Sequence, residues 1–172
     1  MGTLSSIKAG RAGDLASAGV FEPSRTELYI RFADVDMMSV VHHGAYVHWL
    51  EQIRFRFLHD ILGVHFKQLL DEEVALPLTH CELSYKRVFE FGQVPVGYAR
   101  VELYPQAKFK VHYDIYERDS GILHTSGSTT HCFLGAGRKL LLRTPAFFAE
   151  ALKASLARFP DCQAKAGYDG SR

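Results

Sequence analysis

The stretch RFADVDMMSVVHHGAYVHWLE, residues 31–51, decides the fold. Its first half carries two acids, Asp34 and Asp36, and runs through Ser39 as a loop. Its second half opens an apolar periodicity in which Tyr46, Trp49, Leu50, Ile53 and Phe57 recur at helical spacing. Glu51, Gln52, Arg54 and Arg56 fall largely off that stripe, while Val47, Phe55 and Leu58 widen it beyond a narrow seam. The spacing predicts a long helix from near Gly44 to Gly63, wrapped by a sheet.

Upstream, Leu28, Ile30 and Phe32 alternate with Glu27, Tyr29 and Arg31, which predicts a half-buried strand over 27–32 leading into Asp34 and Asp36. Downstream, four runs read as strands, over 76–88, 94–104, 108–117 and 122–134. In the third, Phe109, Val111, Tyr113 and Ile115 alternate with Lys110, His112, Asp114 and Tyr116. Residues 118–121, RDSG, make the turn of an antiparallel hairpin. A short strand over 139–142 follows, and Thr144 with Pro145 opens a final amphipathic helix as N-cap and first residue, closing before Pro160. Residues 1–24, rich in Gly, Ala and Ser, read as a flexible arm, 25–160 as one domain, and 161–172 as a flexible tail. The order is α+β, and an antiparallel sheet curled around one long central helix uses these parts without leaving a face bare.

Composition narrows the function. With 20 basic and 19 acidic residues among 172 and a formal net charge of +1, there is no basic stripe to neutralise a phosphate backbone, which argues against nucleic acid. Cys81, Cys132 and Cys162 form an odd set without a C-x-x-C pair, as expected of a reduced cytoplasmic protein. No apolar run approaches the ~20 residues that span a bilayer.

The chemistry concentrates at the mouth of the long helix. Asp36 offers a nucleophile or a general base, and His43 follows seven residues later where the helix begins. A backbone N–H there is unpaired within the helix and lies at the positive end of its dipole, so it can receive developing charge on a carbonyl oxygen. That combination suits acyl transfer. The plain alternatives are an Asp36 that caps the helix and a His43 that only packs. His42 is less favoured, because consecutive side chains at a helix entry diverge. Tyr46 is near enough to the helix start to line an acyl pocket, although Tyr46 and Trp49 at this spacing are commonly core. A metal site from Asp34, Asp36, His42 and His43 has no second ligand pair at helical spacing to support it, so neither metal nor cofactor is expected. Lys86, Arg87 and Lys108 are basic strand residues that could meet phosphates.

These residues resemble the hotdog-fold acyl-CoA thioesterases, in the branch similar to 4-hydroxybenzoyl-CoA thioesterase. The resemblance rests on Asp34-Val35-Asp36, Val40-Val41-His42-His43, Tyr46, and Trp49-Leu50-Glu51 with Arg54, and it continues through Tyr85, Gly92 and 127–131, covering about 26–145. Ser39 stands where the family usually has Gly, Ala45 where Asn or Ser is common, Val88 where Pro is usual, and Gln93 where Asp often follows the glycine. The resemblance implies a single hotdog domain that hydrolyses an acyl-CoA, or an acyl carrier thioester, to a free acid and a thiol. Asp36 and His43 would be catalytic, and Val41, Tyr46, Tyr85 and Arg87 would bind substrate. Some hotdog thioesterases use a helix glutamate as nucleophile, but with Asp36 in the catalytic position Glu51 reads as a partner of Arg54 or a support behind the site. It also implies a homodimer or homotetramer with the site at a subunit interface. Two rivals are a hotdog hydratase or dehydratase, which needs His five residues after the Asp where this chain has Val41, and a hotdog protein that binds acyl groups without turnover.

Overall fold

The computed structural model describes residues 20–164. A short strand β1 (Thr26–Glu27) precedes a 3-10 turn (Phe32–Asp34), helix α1 (His43–Arg56) and a π-helical turn (Phe57–Ile61). Helix α2 (Phe66–Asp71) leads to four long strands, β2 (Leu78–Tyr85), β3 (Pro95–Leu103), β4 (Lys108–Glu117) and β5 (Leu123–Cys132). A two-stranded ribbon, β6 (Leu134–Gly135) with β7 (Lys139–Leu140), precedes helix α3 (Ala146–Arg158). The main sheet is antiparallel throughout, in the order β1-β3-β4-β5-β2.

Helix α1 forms where the apolar stripe required it, because only its packing against the sheet buries that stripe. Tyr46, Trp49, Leu50, Ile53 and Phe57 are all buried, and Gly63, in the left-handed region at φ 67°, ends the helical run. The sheet's inner face meets it with Val101, Val111, Tyr113 and Ile115. At Gly97 helix and sheet approach so closely that a Cβ there would overlap the Ile53 side chain. This glycine is what lets α1 lie against β3.

Several expectations need correction. The strand over 27–32 shrinks to Thr26–Glu27, because the chain turns at Phe32–Asp34, where Asp34 accepts hydrogen bonds from the Arg31 backbone (2.9 Å) and guanidinium (2.6 Å). Leu28 stays buried, but Phe32, expected inside, is 86% exposed. Pro145 is itself the N-cap of α3, and Thr144 makes no capping hydrogen bond. Helix α2 has no counterpart in the sequence reading. The expected arm lies largely among residues 1–19, outside the described ones, but its last residues are packed: Phe21 is in the core, and the Ser24 hydroxyl accepts from the Ala99 N–H at 2.9 Å. The expected tail likewise begins inside the core, with Cys162 and Ala164 buried, and continues into 165–172, outside the described residues. The three cysteines are free thiols.

Candidate active site

The loop that joins the 3-10 turn to α1 is folded by its own backbone. Asp36 N–H donates to the Val40 carbonyl at 2.9 Å, Ser39 N–H to the Asp36 carbonyl at 3.0 Å, and Met38 N–H to Asp36 Oδ1 at 2.8 Å. Ser39 closes this turn at φ 63°, a left-handed conformation that costs a side-chain-bearing residue about 1 kcal/mol or more. The Asp36 carboxylate is half-buried, and one of its oxygens is engaged in the turn.

Asp34 does different work. It is buried, its carboxylate is held well below the usual carboxylate range by hydrogen bonds from Arg31, and its carbonyl accepts from His42 N–H at 2.7 Å. The first acid of the pair is therefore committed to Arg31, whereas the second, partly accessible, gives one carboxylate oxygen to the turn.

The start of α1 is capped by His42: its Nδ1 accepts from Gly44 N–H at 3.1 Å and its carbonyl from Ala45 N–H at 2.9 Å. The N–H of His43, the first helical residue, has no partner among the described residues. Contrary to the expectation that the two rings diverge, those of His42 and His43 lie with centroids 4.0 Å apart, both exposed.

Val41 and Tyr46 are fixed by the loop after β2. Val41 N–H donates to the Phe89 carbonyl at 2.8 Å, and Phe89 N–H donates to the Tyr46 hydroxyl at 3.3 Å. Burial pushes the Tyr46 hydroxyl pKa up. Tyr46 is a core residue with a polar tip, and it reaches the surface through Tyr85, whose ring meets it edge-on at 5.0 Å. The Tyr85 hydroxyl donates to the His43 carbonyl at 3.3 Å, so Val41, His43, Tyr46 and Tyr85 gather at the N-terminal end of α1, with Asp36 joined to them through the Val40 backbone.

Lys86 and Arg87 follow Tyr85 at this end of the sheet, with their N–H groups donating to the His124 carbonyl and their side chains exposed. Lys108 does not join them. It pairs with Cys132 on β5, whereas Tyr85 pairs with Thr125, seven residues or about 23 Å away along the strand.

Glu51 lies 3.5 Å from Arg54, the pairing expected of it as an alternative to a nucleophile. Arg54 was expected off the buried stripe, yet it is buried, and its Nη1 lies 2.8 Å from His131 Nδ1. Burial, reinforced by the Arg54 charge, pushes the His131 pKa down to about 4, so at neutral pH the ring is an uncharged acceptor. His131 Nε2 also lies 3.0 Å from the Thr129 hydroxyl, which is 2.6 Å from the Tyr113 hydroxyl. This buried network was missed; its only sequence signal is a polar residue, His131, at an inward-facing strand position.

Residues 30–152 match the Thioesterase-like superfamily over most of the chain. The chain belongs to that superfamily. Within this superfamily member, 108 residues are 29% identical to the Bacillus subtilis protein named "Putative acyl-CoA thioesterase YneP", covering 63% of this chain and 77% of that one. Among solved structures, a hypothetical protein from Thermus thermophilus superposes with a TM-score of 0.68 at 28% identity, over 76% of this chain and 97% of its own. A DHNA-CoA thioesterase from Staphylococcus aureus superposes with a TM-score of 0.71 at 24% identity, over 82% and 95%. The fold is the hotdog, an antiparallel sheet around a central helix. No helix among the described residues is long and apolar enough to cross a membrane.

Proposed function

We propose that this superfamily member hydrolyses an acyl-CoA thioester to a free acid and CoA, with Asp36 and the N-terminus of α1 as its chemical centre. The observation that supports the reading is a partly accessible Asp36, on the turn that leads directly into α1, ahead of a helix whose first N–H at His43 is unpaired among the described residues. The names of the Bacillus and Staphylococcus relatives support the substrate class.

In the general-base route Asp36 takes a proton from water as its oxygen bonds to the thioester carbon. The His43 N–H receives the charge that develops on the carbonyl oxygen, and collapse breaks the C–S bond, with the thiolate then taking a proton. In the nucleophilic route the Asp36 oxygen attacks instead, and water cleaves the resulting anhydride. Both place the same carboxylate at the same carbon. Val41, Tyr46 and Tyr85 would border the acyl group, and Arg87 with Lys86 would meet the CoA phosphates.

Tyr85 of the site lies on β2, an edge strand that among the described residues pairs only with β5. Leu78 and Tyr85 on β2, Val88 just after it, and Val47 and Phe55 on α1 are exposed apolar side chains. A second copy laid along β2 would cover them and wall the acyl pocket, so a homodimer is the assembly we assign. Unpaired cysteines fit a reducing, cytoplasmic setting.

Thiol release from short, long and aromatic acyl-CoAs, and from acyl carrier thioesters, by the wild type and by Asp36→Asn tests the proposal. Loss of hydrolysis in a folded Asp36→Asn variant supports it. Equal rates would move the chemistry away from Asp36, and tight acyl-CoA binding without thiol release would make this a binding protein, with Asp36 serving only its turn.

A further inference from the structure

One residue of the loop after β2 holds the approach to α1. Phe89 is fully buried and engages both of its backbone groups there: its carbonyl accepts from Val41 N–H at 2.8 Å, and its N–H donates to the Tyr46 hydroxyl at 3.3 Å. The next residue, Glu90, bridges to Val40, whose carbonyl accepts from Asp36 N–H. Val41 stands two residues before His43, so the place of Phe89 sets the place of the helix entry.

Phe89 is in turn held by His124. Along β4 and β5, Ile115 pairs with Thr125 and Tyr116 with Leu123, which leaves His124 as the extra residue of a β-bulge. A bulge re-aims the side chain that it inserts. Here the His124 ring, 5% exposed, lies stacked on the Phe89 ring with centroids 4.2 Å apart, and Trp49 meets the same Phe89 ring edge-on at 5.6 Å. The His124 carbonyl accepts from Lys86 N–H and Arg87 N–H at 2.8 and 3.0 Å. One residue thus grips the loop at its start by main chain and at its end by side chain.

We propose that His124 is a positioning residue of the candidate active site: through its stack on Phe89 it places Val41 and Tyr46, and with them the first N–H of α1. The inference rests on the acyl-CoA reading above. A donor displaced by ~1 Å from a developing charge can lose about 10²-fold in rate, so a residue that never touches substrate can still govern turnover. This placement requires an uncharged ring. His124 Nδ1 is buried with no hydrogen-bond partner among the described residues, so a proton there finds no acceptor. Burial pushes the His124 pKa down against the Val88 backbone and the Glu117 carboxylate on β4, which favour the charged ring, while the Arg87 guanidinium acts with burial. The ring is neutral at neutral pH, and acid that charges it loosens the stack.

His124→Phe keeps a flat ring against Phe89 without a titrating nitrogen, and His124→Ala removes the ring. Both are compared with the wild type by thiol release from acyl-CoA, normalised to folded protein, and by backbone amide shifts. His124→Ala should lower kcat about tenfold or more with KM within about threefold, and should displace the amide signals of Val41, Gly44 and Phe89. His124→Phe should keep kcat at neutral pH within about threefold and hold it further into acid than the wild type does. Unmoved Val41 and Gly44 amides in a folded His124→Ala variant, an unchanged kcat per folded molecule, or coincident acid profiles for the wild type and His124→Phe would overturn the proposal. The last comparison decides it even where His124→Ala does not fold. A wild type that releases thiol from no acyl-CoA would sink the acyl-CoA reading instead, and the amide shifts alone would then decide whether His124 places the helix entry.

Discussion

Arg54 on α1 and His131 on β5 meet at 2.8 Å inside the core, a charged side chain resting on an uncharged one. Burial and the neighbouring guanidinium hold the His131 pKa near 4, below the ~6.5 of a free histidine. Between those values the unfolded chain binds a proton at this ring that the native chain refuses, so the contribution of His131 to stability falls as pH drops from about 6.5 to about 4 and changes no further below that. The contribution is on the order of 3 kcal/mol. Chemical denaturation across pH 7 to 4 should show this slope, and His131→Gln, which keeps an acceptor for Arg54, should flatten it.

Gly97 and Ile53 set the distance between sheet and helix. Gly97→Ala should cost about 1–3 kcal/mol, because backbone and core side chain must both give way. Combining it with Ile53→Val should recover part of that loss, while Ile53→Val alone should cost about 1 kcal/mol. Thermal melts of the four proteins in the cycle measure the coupling.

Ser39 holds a backbone conformation that glycine adopts freely. Ser39→Gly should raise stability by a few tenths to about 1 kcal/mol, the relief of strain being partly offset by the larger entropy of glycine in the unfolded chain. A rise in the denaturation midpoint without a change in slope checks this.

Asp36→Asn should lower kcat/KM by about 10²-fold or more, and Glu51→Gln by only a fewfold, since Glu51 is occupied by Arg54. Steady-state thiol release by both variants separates the two acids. A larger loss in the Glu51 variant would reverse their roles.

The elements that the sequence made legible are those whose burial is written in local periodicity. Helix α1 begins within a residue of its expected start, β4 spans Lys108–Glu117 as the alternation requires, and the turn over 118–121 joins β4 to β5. Other features depend on partners far along the chain or on one strong local contact. Alternation over 27–32 competes with the Arg31–Asp34 pair, and the pair bends the chain first. Helix α2 is six residues long, too short for a period to register. Arg54 reads as a solvated residue until His131, 77 positions later, is folded against it. In the candidate site, the helix entry could be marked from spacing and Asp36 only through the family resemblance, whereas the task of Asp34 and the capping by His42 required the loop's hydrogen bonds.

That cap ties the helix entry to one tautomer of one ring. A serine or aspartate at such a position accepts from the helix in any orientation of its oxygen, but an imidazole accepts at Nδ1 only while that nitrogen carries no hydrogen. With Nδ1 taken by the Gly44 N–H, the ring hydrogen of His42 belongs on Nε2, on the side away from the helix. The geometry of the first turn, and with it the aim of the His43 N–H, thereby rests on which nitrogen of a single exposed ring bears the hydrogen.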